Sequence, residues 1–408
     1  MMERTTPRRR LARSLAGAAL VAGLAASGTA VPAWAEPVAA ADPAPGSVTP
    51  DKDPFYLAPA DIGAYRPGQI VATRPLTLKL SVEVRAWQIS YRSNDSHGRP
   101  TLEVTTLAVP TKAWEGTGPR PAVSVQFAED STGIQCAPSY KLSTGGGSSE
   151  AGLLLNKNWA VAIPDHQGFK SAWMAGPRAG HSVLDGIRAV RSFQEAGLAS
   201  SQWGLTGYSG GAHATGWAAE LQPSYAPDVT LAGVAMGGTP ADPAATARFL
   251  DGRAPAGFVF AATWGIHTEW PEAGIEGLLN AQGRIDMATV AGKCLPDILG
   301  KFPFRRLASA TTVPDPLSVP SVAAVLKKDT MGAATPKAPI FNYHAVTDEI
   351  VPIGQANTLT KTWCAGGATI QIVRSWLGEH GLEAVRRSPA AVSYLNDRFA
   401  GKTPPNSC

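Results

Sequence analysis

Charged side chains are scarce in this sequence of 408 residues: Asp, Glu, Lys and Arg together make up 17% of it, whereas apolar residues make up 44%. This balance excludes an intrinsically disordered chain, because the apolar fraction is ample for a buried core and the charge density is low. Heptad stretches and short-period repeats are also missing, which excludes a coiled coil and a solenoid. The length allows one large domain or two of ordinary size.

A long apolar run is found only near the start of the chain. Five arginines precede an apolar stretch from about residue 15 to residue 30, and Ala33-Trp34-Ala35 supplies a small-x-small cleavage site. This pattern is typical of a secretory signal peptide, and an uncleaved anchor is the alternative. We therefore expect residues 1–35 to be removed and the mature protein to be secreted. Residues 36–52, rich in Pro and Ala, are predicted to form a mobile linker.

An excess of basic residues disappears once this leader is set aside. The whole chain has 36 basic and 32 acidic residues, of which the leader holds five and one, so that the mature part carries 31 of each. A neutral mature chain does not have the electrostatic signature of a nucleic-acid-binding protein. The sequence therefore predicts no nucleic-acid partner. Because no other apolar run is long enough to span a bilayer, it also predicts no integral membrane segment in the mature protein.

Closely spaced cysteines of the kind that bind a metal are missing as well. The four cysteines contain no Cys-x-x-Cys pair and stand at Cys136, Cys294, Cys364 and Cys408. In an exported protein an even number of cysteines predicts disulfides, here two, and the spacing leaves all three pairings open. We expect no metal site and no cofactor.

Strand-like segments alternate with helical segments along most of the mature chain. Residues 86–91 and 102–109 are rich in β-branched and aromatic side chains and flank a turn, which predicts an antiparallel hairpin. Further strands are expected at residues 122–127, 159–164, 203–207, 231–236, 338–344 and 369–373, with a helix over residues 182–196 after the second of these. The alternation predicts an α/β fold whose sheet is mostly parallel and covered by helices on both faces.

One stretch of about 100 residues, 239–337, breaks this alternation and has the pattern of short helices with many aromatic and aliphatic side chains. Loops of this length inside a compact domain are usually lids or binding elements. The sequence therefore predicts a helical cap inserted between two parts of one core, residues 53–238 and 338–408. A small separate domain remote from the functional site is the alternative.

The strongest local motif is Gly207-Tyr208-Ser209-Gly210-Gly211. It follows a predicted strand and precedes a helix of small residues, which is the setting of a nucleophile elbow, a strained turn that exposes a serine hydroxyl above the sheet. Side chains at the flanking glycines would collide with neighbouring elements. The motif predicts that Ser209 is a catalytic nucleophile, and a Gly-rich turn with a passive serine is the alternative.

A nucleophilic serine requires a general base, and in elbow-type enzymes the histidine follows the serine in the chain. Beyond Ser209 lie four histidines, His213, His267, His344 and His380. The first is one turn into the elbow helix, the second is in the predicted cap and the third is inside a predicted strand. His380 follows the last strand on a loop, and we predict that it is the base.

The base requires a carboxylate that orients it. Asp348 follows the predicted strand before that of His380, so both side chains are expected at the same edge of the sheet as Ser209. Its neighbour Glu349 should point the other way, and Glu379 is adjacent to the histidine in a position that seldom aligns with it. The sequence therefore predicts Asp348 as the acid.

Catalysis by such a serine also requires N–H donors for the oxyanion. The N–H of Gly210 is one donor in an elbow of this kind. The second is expected from the loop after the strand that ends at Phe127, residues 128–131, although no His-Gly-Gly-Gly motif is present there.

These features together resemble the secretory lipase family, the yeast lipase A type with its actinobacterial relatives, within the α/β-hydrolase fold. Besides Asp348, the matching motifs are residues 127–131 (Phe-Ala-Glu-Asp-Ser), 136–140 (Cys-Ala-Pro-Ser-Tyr), 164–168 (Pro-Asp-His-Gln-Gly), 207–211 and 378–380 (Gly-Glu-His). They span nearly all of the mature chain. The resemblance implies a triacylglycerol or carboxylic-ester hydrolase with a helical cap.

The resemblance also implies finer assignments. It suggests the N–H of Asp130 as the second oxyanion donor, and it favours the disulfides Cys136–Cys294 and Cys364–Cys408. The sequence leaves open an acyltransferase that uses the same residues, an esterase for short-acyl or polymer-linked esters, and a non-catalytic binding protein. Acyl chain length, interfacial activation and oligomeric state do not follow from it.

Overall fold

The computed structural model describes residues 43–147 and 149–408, within which nine strands form a single sheet. The predicted signal peptide and residues 36–42 lie outside the described residues. The strands are β1 (Ile70–Leu76), β2 (Val84–Asn94), β3 (Pro100–Pro110), β4 (Ala122–Gln126), β5 (Ala160–Pro164), β6 (Trp203–Tyr208), β7 (Leu231–Gly237), β8 (Ile340–Ala345) and β9 (Ile370–Ser375). Their order across the sheet is β1-β2-β3-β5-β4-β6-β7-β8-β9.

The first three strands form an antiparallel meander at one end of the sheet. β2 and β3 pair along their whole length, with Trp87 opposite Leu107, so the predicted hairpin is present. Asp95 closes its turn by accepting hydrogen bonds from the N–H groups of His97 (2.9 Å) and Arg99 (2.8 Å). β1 pairs antiparallel with the outer side of β2, and β3 joins the rest of the sheet by pairing antiparallel with β5.

From β5 to β9 all neighbouring strands are parallel. β4 and β5 are buried at every position, as their continuous apolar sequences predict for strands covered on both faces. The prediction of a mostly parallel α/β sheet is confirmed. Its consequence for function is that residues just after β6, β8 and β9 meet at one edge of the sheet.

The α-helices of the described residues are α1 (Pro138–Ser143), α2 (Ser149–Leu155), α3 (Gly176–Ser192), α4 (Gly210–Tyr225), α5 (Pro243–Leu250), α6 (Gly257–Glu269), α7 (Ile275–Leu278), α8 (Ala281–Val290), α9 (Leu295–Lys301), α10 (Pro320–Lys328), α11 (Ile353–Ala365) and α12 (His380–Phe399). Six of them, α1 to α4, α11 and α12, cover the two faces of the sheet. Residues from α3, α4 and α11 form the core on one face, and residues from α1, α2 and α12 form the core on the other. No helix among the described residues has the length and hydropathy of a membrane span.

The helix predicted over residues 182–196 is α3, and its bounds were wrong at both ends. It begins at Gly176, where Pro177 occupies the first turn and needs no hydrogen-bond acceptor there. It ends at Ser192, because Phe193 takes an extended conformation and packs edge-on against Trp87 with ring centroids 5.4 Å apart. Residues 194–196 then form one turn of 3₁₀ helix.

The region between β7 and β8, residues 239–337, contains α5 to α10, and no strand of the sheet lies in it. We call it the inserted region. Its apolar side chains form two clusters of their own, one of which also includes Trp173, Met174 and Ile350 from outside the region. Residues 42–408 form one compact unit.

Ion pairs, hydrogen bonds and a disulfide join the inserted region to the rest of the protein. Buried Arg178 forms ion pairs both with Glu103 of β3 and with Glu269 of α6, the latter at 3.0 Å. Buried Asp329 accepts a hydrogen bond from the N–H of Gly176 (2.9 Å). Cys136 is joined to Cys294 by a disulfide that spans 158 residues of sequence.

The second disulfide, Cys364–Cys408, joins α11 to the end of the chain. The C-terminal residues run beside β9, where the N–H of Ser407 donates to the carbonyl of Ile370 (2.7 Å) and the N–H of Ile372 donates to the Ser407 hydroxyl (3.0 Å). Both pairings are those that the family resemblance implies.

The described part of the predicted linker, residues 43–52, packs against the rest of the protein. Pro50 is buried, and Arg74 of β1 donates a hydrogen bond to the carbonyl of Pro43 (3.1 Å). Arg74 also pairs with buried Asp53 at 2.8 Å and lies over the ring of Phe55. Pro/Ala composition predicted mobility here, but a single buried arginine anchors the segment on β1.

Candidate active site

Ser209 lies on the tight turn between β6 and α4. Its backbone has φ 56° and ψ −125°, a strained conformation for a residue with a side chain. A Cβ at Gly207 would lie 2.5 Å from the carbonyl oxygen of Gly211, and one at Gly211 would lie 1.9 Å from that of Gln126. The two glycines are therefore required for the turn to form, and the turn presents the serine at the edge of the sheet.

The structure brings Ser209, His380 and Asp348 together in one hydrogen-bonded chain. Nε2 of His380 is 2.8 Å from Oγ of Ser209, and its Nδ1 is 2.7 Å from Oδ2 of Asp348. The three residues follow β6, β9 and β8, whose carboxyl ends lie at the same edge. In this geometry the imidazole can accept the hydroxyl proton while the carboxylate fixes its tautomer.

Asp348 is held by three further polar contacts. Its Oδ1 accepts hydrogen bonds from the N–H groups of Ile350 (3.0 Å) and Val351 (2.7 Å). Its Oδ2 also lies 3.3 Å from Nε2 of buried His344. Burial by itself opposes ionisation of Asp348, but hydrogen bonds from His344 and His380 outweigh burial and hold its pKa well below the usual range. Asp348 is therefore a fixed anion next to the histidine.

Sequence reasoning missed the residues that position the His380 loop. The Tyr208 hydroxyl donates to the carbonyl of His380 (2.7 Å), and a carboxylate oxygen of Glu349 accepts from its N–H (3.0 Å). Glu379 caps α12 by accepting from the N–H groups of Gly381 and Leu382. Only this cap had a signal in the sequence, an acidic residue directly before an apolar helix.

Asp130 lies beside the elbow with its carboxyl group against Gly210, where an added Cβ would be 1.8 Å from Asp130 Oδ1. Burial raises the pKa of Asp130 to about 7, although nearby His380 and His166 oppose the shift. The backbone of Asp130 has φ 44°. Its N–H donates to the side-chain oxygen of Gln167 (2.9 Å), so this predicted oxyanion donor has an acceptor in the resting protein.

The other predicted donor is the N–H of Gly210. Gly210 is the first residue of α4, and the first N–H groups of a helix have no acceptor within it. It directly follows Ser209, so its N–H is available to an oxygen next to the serine hydroxyl.

Several other polar side chains, in the loops after β4 and β5 and in α4, are buried. Nδ1 of His166 is 2.9 Å from a carboxylate oxygen of Glu129, and Asp165 accepts from the N–H of Ser139 (2.9 Å). His213 is buried in α4, and burial lowers its pKa to about 3. Within the described residues, no group of three or more His, Cys, Asp and Glu is arranged to hold a metal ion.

An apolar cleft opens next to Ser209. Two elements of the inserted region, α5 and α6, form one wall, with Leu250, Phe258 and Val259 among its residues. Trp173, Met174, Ile350 and Val351 also line the cleft. The cleft suits an aliphatic chain, because its lining is mostly apolar and its polar side chains are few, Asp130, Ser209 and Thr246 among them.

The family model described as "Secretory lipase" matches residues 149–407 of this chain. Lipase A of Moesziomyces aphidis is 34% identical over 383 residues, which cover 88% of this chain and 82% of that protein. A secreted triacylglycerol lipase of Malassezia restricta is 34% identical, over 87% of this chain and 80% of its own. A probable inactive lipase of Mycobacterium tuberculosis is 32% identical, with coverage of 86% and 83%.

The closed-state crystal structure of Candida antarctica lipase A superimposes with a TM-score of 0.83 at 33% identity, covering 88% of this chain and 89% of that one. A rice cell wall degrading esterase of Xanthomonas oryzae is similar in fold, with a TM-score of 0.67 at 16% identity, over 83% of this chain and 100% of its own. The expected α/β-hydrolase fold and the family resemblance are both confirmed.

Proposed function

The chain belongs to the secretory lipase family, and on that premise we propose that it is a secreted lipase that cleaves acylglycerol-type esters through an acyl-enzyme on Ser209. Membership of this family makes it a carboxylic ester hydrolase. The observation that carries the finer proposal is the hydrogen-bonded chain from Ser209 through His380 to Asp348 at the end of an apolar cleft.

In the first half-reaction Oγ of Ser209 attacks the ester carbonyl while Nε2 of His380 accepts the hydroxyl proton. Asp348 keeps the Nδ1–H of the imidazole directed at itself and stabilises the imidazolium that forms. Collapse of the tetrahedral intermediate breaks the bond to the alcohol, which leaves with the proton from His380. The acyl group stays on Ser209 as an ester.

The oxyanion of the intermediate requires N–H donors at the place where its charge develops. The N–H of Gly210 is available, because it lies outside the hydrogen-bond ladder of α4. The N–H of Asp130 is the second proposed donor, and it must turn from Gln167 or be shared with it when the intermediate forms.

In the second half-reaction a water molecule takes the place of the alcohol. His380 accepts its proton, the hydroxide oxygen attacks the acyl carbonyl, and collapse releases the fatty acid and restores the Ser209 hydroxyl. The same steps with an alcohol in place of water would transfer the acyl group.

We further propose that the inserted region acts as a cap that selects the acyl chain. Its helices α5 and α6 supply one wall of the cleft, and the side chains of that wall are almost all apolar. Burial of each additional CH₂ group of a substrate contributes about 0.8 kcal/mol. Esters with medium or long chains are therefore expected to bind better than acetyl esters.

Secretion is supported by two observations. The relatives from Malassezia are named secreted lipases, and the two disulfides of this chain suit an oxidising compartment.

The first test is hydrolysis of p-nitrophenyl esters from C2 to C16 by the mature protein, by Ser209→Ala and by Ser224→Ala. Ser224 is an exposed hydroxyl near the other end of α4 and serves as the matched control. We expect activity that peaks at medium or long chains, is retained in Ser224→Ala and is abolished in Ser209→Ala. Cleavage of the C2 ester alone would contradict the lipid assignment, and full activity of Ser209→Ala would contradict the mechanism.

A competing alcohol in the same assay distinguishes hydrolysis from transfer. We expect free fatty acid to be the main product at low alcohol concentration, and ester as the main product would identify an acyltransferase.

A further inference from the structure

An exposed apolar patch surrounds His380. Within residues 43–147 and 149–408, nine large apolar side chains are exposed, and four of them lie within ten residues of the chain: Trp376 (78% exposed), Leu377 (80%), Leu382 (51%) and Val385 (75%). We call these four residues the His380 patch. Leu382 and Val385, three positions apart in α12, share one face of the helix. Clustered exposed apolar residues mark interaction sites, whereas isolated ones need no explanation.

The exposure of the patch is not the result of an unattached loop. The Thr347 hydroxyl donates to the carbonyl of Gly378 (2.6 Å), and both backbone groups of His380 are hydrogen-bonded to Tyr208 and Glu349. The backbone polar groups of Gly378 and His380 thus form hydrogen bonds with the rest of the protein. The loop holds its apolar side chains in water in a fixed arrangement.

Charges of both signs lie near the patch, and neither sign dominates. The cations Arg374, Arg386 and Arg387 face the anions Asp348, Glu349, Glu379 and Glu383 in nearly equal number. Arg386 and Arg387 both pair with Glu383, and buried Asp348 pairs with His380. A surface without an excess of positive charge offers nothing for a polyanion or an anionic lipid headgroup to recognise, and it favours an occupant that is apolar and uncharged.

The position of the patch identifies that occupant. The patch lies on the loop and first turns of α12 that carry His380, whose Nε2 is 2.8 Å from Oγ of Ser209. Whatever covers the patch therefore adjoins the site that receives the substrate. A substrate phase that is apolar, uncharged and next to the cleft fits this position, and tryptophan is a residue that prefers the boundary between lipid and water.

We propose that Trp376, Leu377, Leu382 and Val385 form a docking surface that inserts into the surface of an uncharged lipid phase and places the mouth of the cleft against it. The proposal deepens the proposed function, on which it rests for the nature of the substrate. Docking through apolar side chains makes binding insensitive to ionic strength, whereas adsorption through charges weakens as salt is added.

The test compares the double variant Trp376→Ser/Leu377→Ser with the control Ile285→Ser/Phe304→Ser, which removes two exposed apolar side chains of the inserted region (58% and 69% exposed). Each pair is made in the Ser209→Ala background and mixed with phosphatidylcholine vesicles that contain triolein, and bound protein is measured by flotation. We expect at least tenfold weaker binding for the patch variant, and unchanged binding for the control. Binding should be equal at 50 mM and 500 mM NaCl.

Activity is measured separately with the catalytic serine present. We expect the ratio of triolein-emulsion turnover to turnover of dissolved p-nitrophenyl butyrate to fall at least tenfold in the patch variant and to be unchanged in the control. Equal loss in both pairs, a strong salt dependence, or a dimer that the patch variant converts to monomer would overturn the proposal. Vesicle binding by a protein that cleaves no ester would contradict the proposed function and leave the docking surface standing.

Discussion

The two sides of the cleft at Ser209 are built in different ways. On the sheet side, Ser209, Asp348 and His380 come from three strand ends and are fixed by short hydrogen bonds, glycine contacts and a helix cap. On the side of the inserted region, α5 and α6 present apolar side chains with few polar partners. Directional bonds fix the position of each catalytic atom, whereas apolar packing fixes only shape and volume.

This difference assigns separate tasks to the two sides. Changes on the sheet side should affect the rate for every ester alike, because they act on the reacting atoms. Changes in the inserted region should alter which acyl chains are accepted. The buried ion pairs of Arg178 connect the two sides and should affect stability most.

The largest effect is expected for Asp348→Asn. An amide cannot hold the imidazole in the required tautomer, so kcat should fall on the order of 10⁴-fold for all chain lengths, with KM little changed. Glu349→Gln is the matched comparison, because Glu349 accepts from the backbone N–H of His380 and not from its imidazole. Steady-state kinetics on p-nitrophenyl esters test this, and a larger loss in Glu349→Gln would make Glu349 the acid.

Arg178→Met should be the most destabilising change that leaves the catalytic residues intact. It leaves buried Glu103 and Glu269 without their cation, and breaking a buried pair in this way costs about 3–5 kcal/mol. Arg248→Met is the control, since the pair of Arg248 with Asp315 is half-exposed and such pairs contribute about 0–1 kcal/mol. Urea unfolding measures both, and equal midpoints would show that the buried pairs do not hold the inserted region.

Ala262→Trp should narrow the cleft without touching the sheet side. Ala262 of α6 lines the cleft, and a larger side chain there excludes part of a long acyl chain. We expect kcat/KM for the C12 ester to fall roughly tenfold or more relative to the C4 ester, which corresponds to the loss of about two buried CH₂ groups. Ala323→Trp is the control, because Ala323 lies on the exposed face of α10 and does not line the cleft. If the dependence of kcat/KM on acyl chain length is unchanged, α6 does not contact the acyl chain.

Asp130 should also make the stability of the folded protein depend on pH, without any change to the cleft. In the unfolded chain its carboxyl ionises near pH 4, whereas burial raises its pKa in the folded protein to about 7. The stability contributed by the neutral carboxyl is therefore complete below about pH 4 and is lost as the pH rises through 7. The amide side chain of the Asp130→Asn variant cannot ionise, so this variant lacks the contribution of Asp130 to the pH dependence.

The Tm of Asp130→Asn relative to the unchanged protein should accordingly rise between pH 4 and pH 8. Glu103, whose pKa burial also raises to about 7, is present in both proteins and cancels in the difference. A constant Tm difference across this range would show that Asp130 titrates normally.

Much of the candidate site could be predicted because chain order and local pattern are enough for it. A strand, a glycine-flanked serine and a small-residue helix determine an elbow, since only glycine fits at positions 207 and 211. Strand ends place Asp348 and His380 on the same edge as Ser209. The bounds of α3 and the packing of residues 43–52 could not be predicted, because they depend on contacts with Trp87 and Arg74 far along the chain.

By itself, the sequence determined the alternation of strands and helices, the elbow and the chain order of serine, acid and base, because these depend on neighbours in the chain and on the handedness of crossovers. Only the tertiary structure decided that Glu349 and Tyr208 hold the backbone of His380, that the N–H of Asp130 meets Gln167, and that Arg178 joins β3 to α6. These contacts link residues 31 to 172 positions apart. No local pattern encodes them, since each exists only after the sheet has brought its strand ends together.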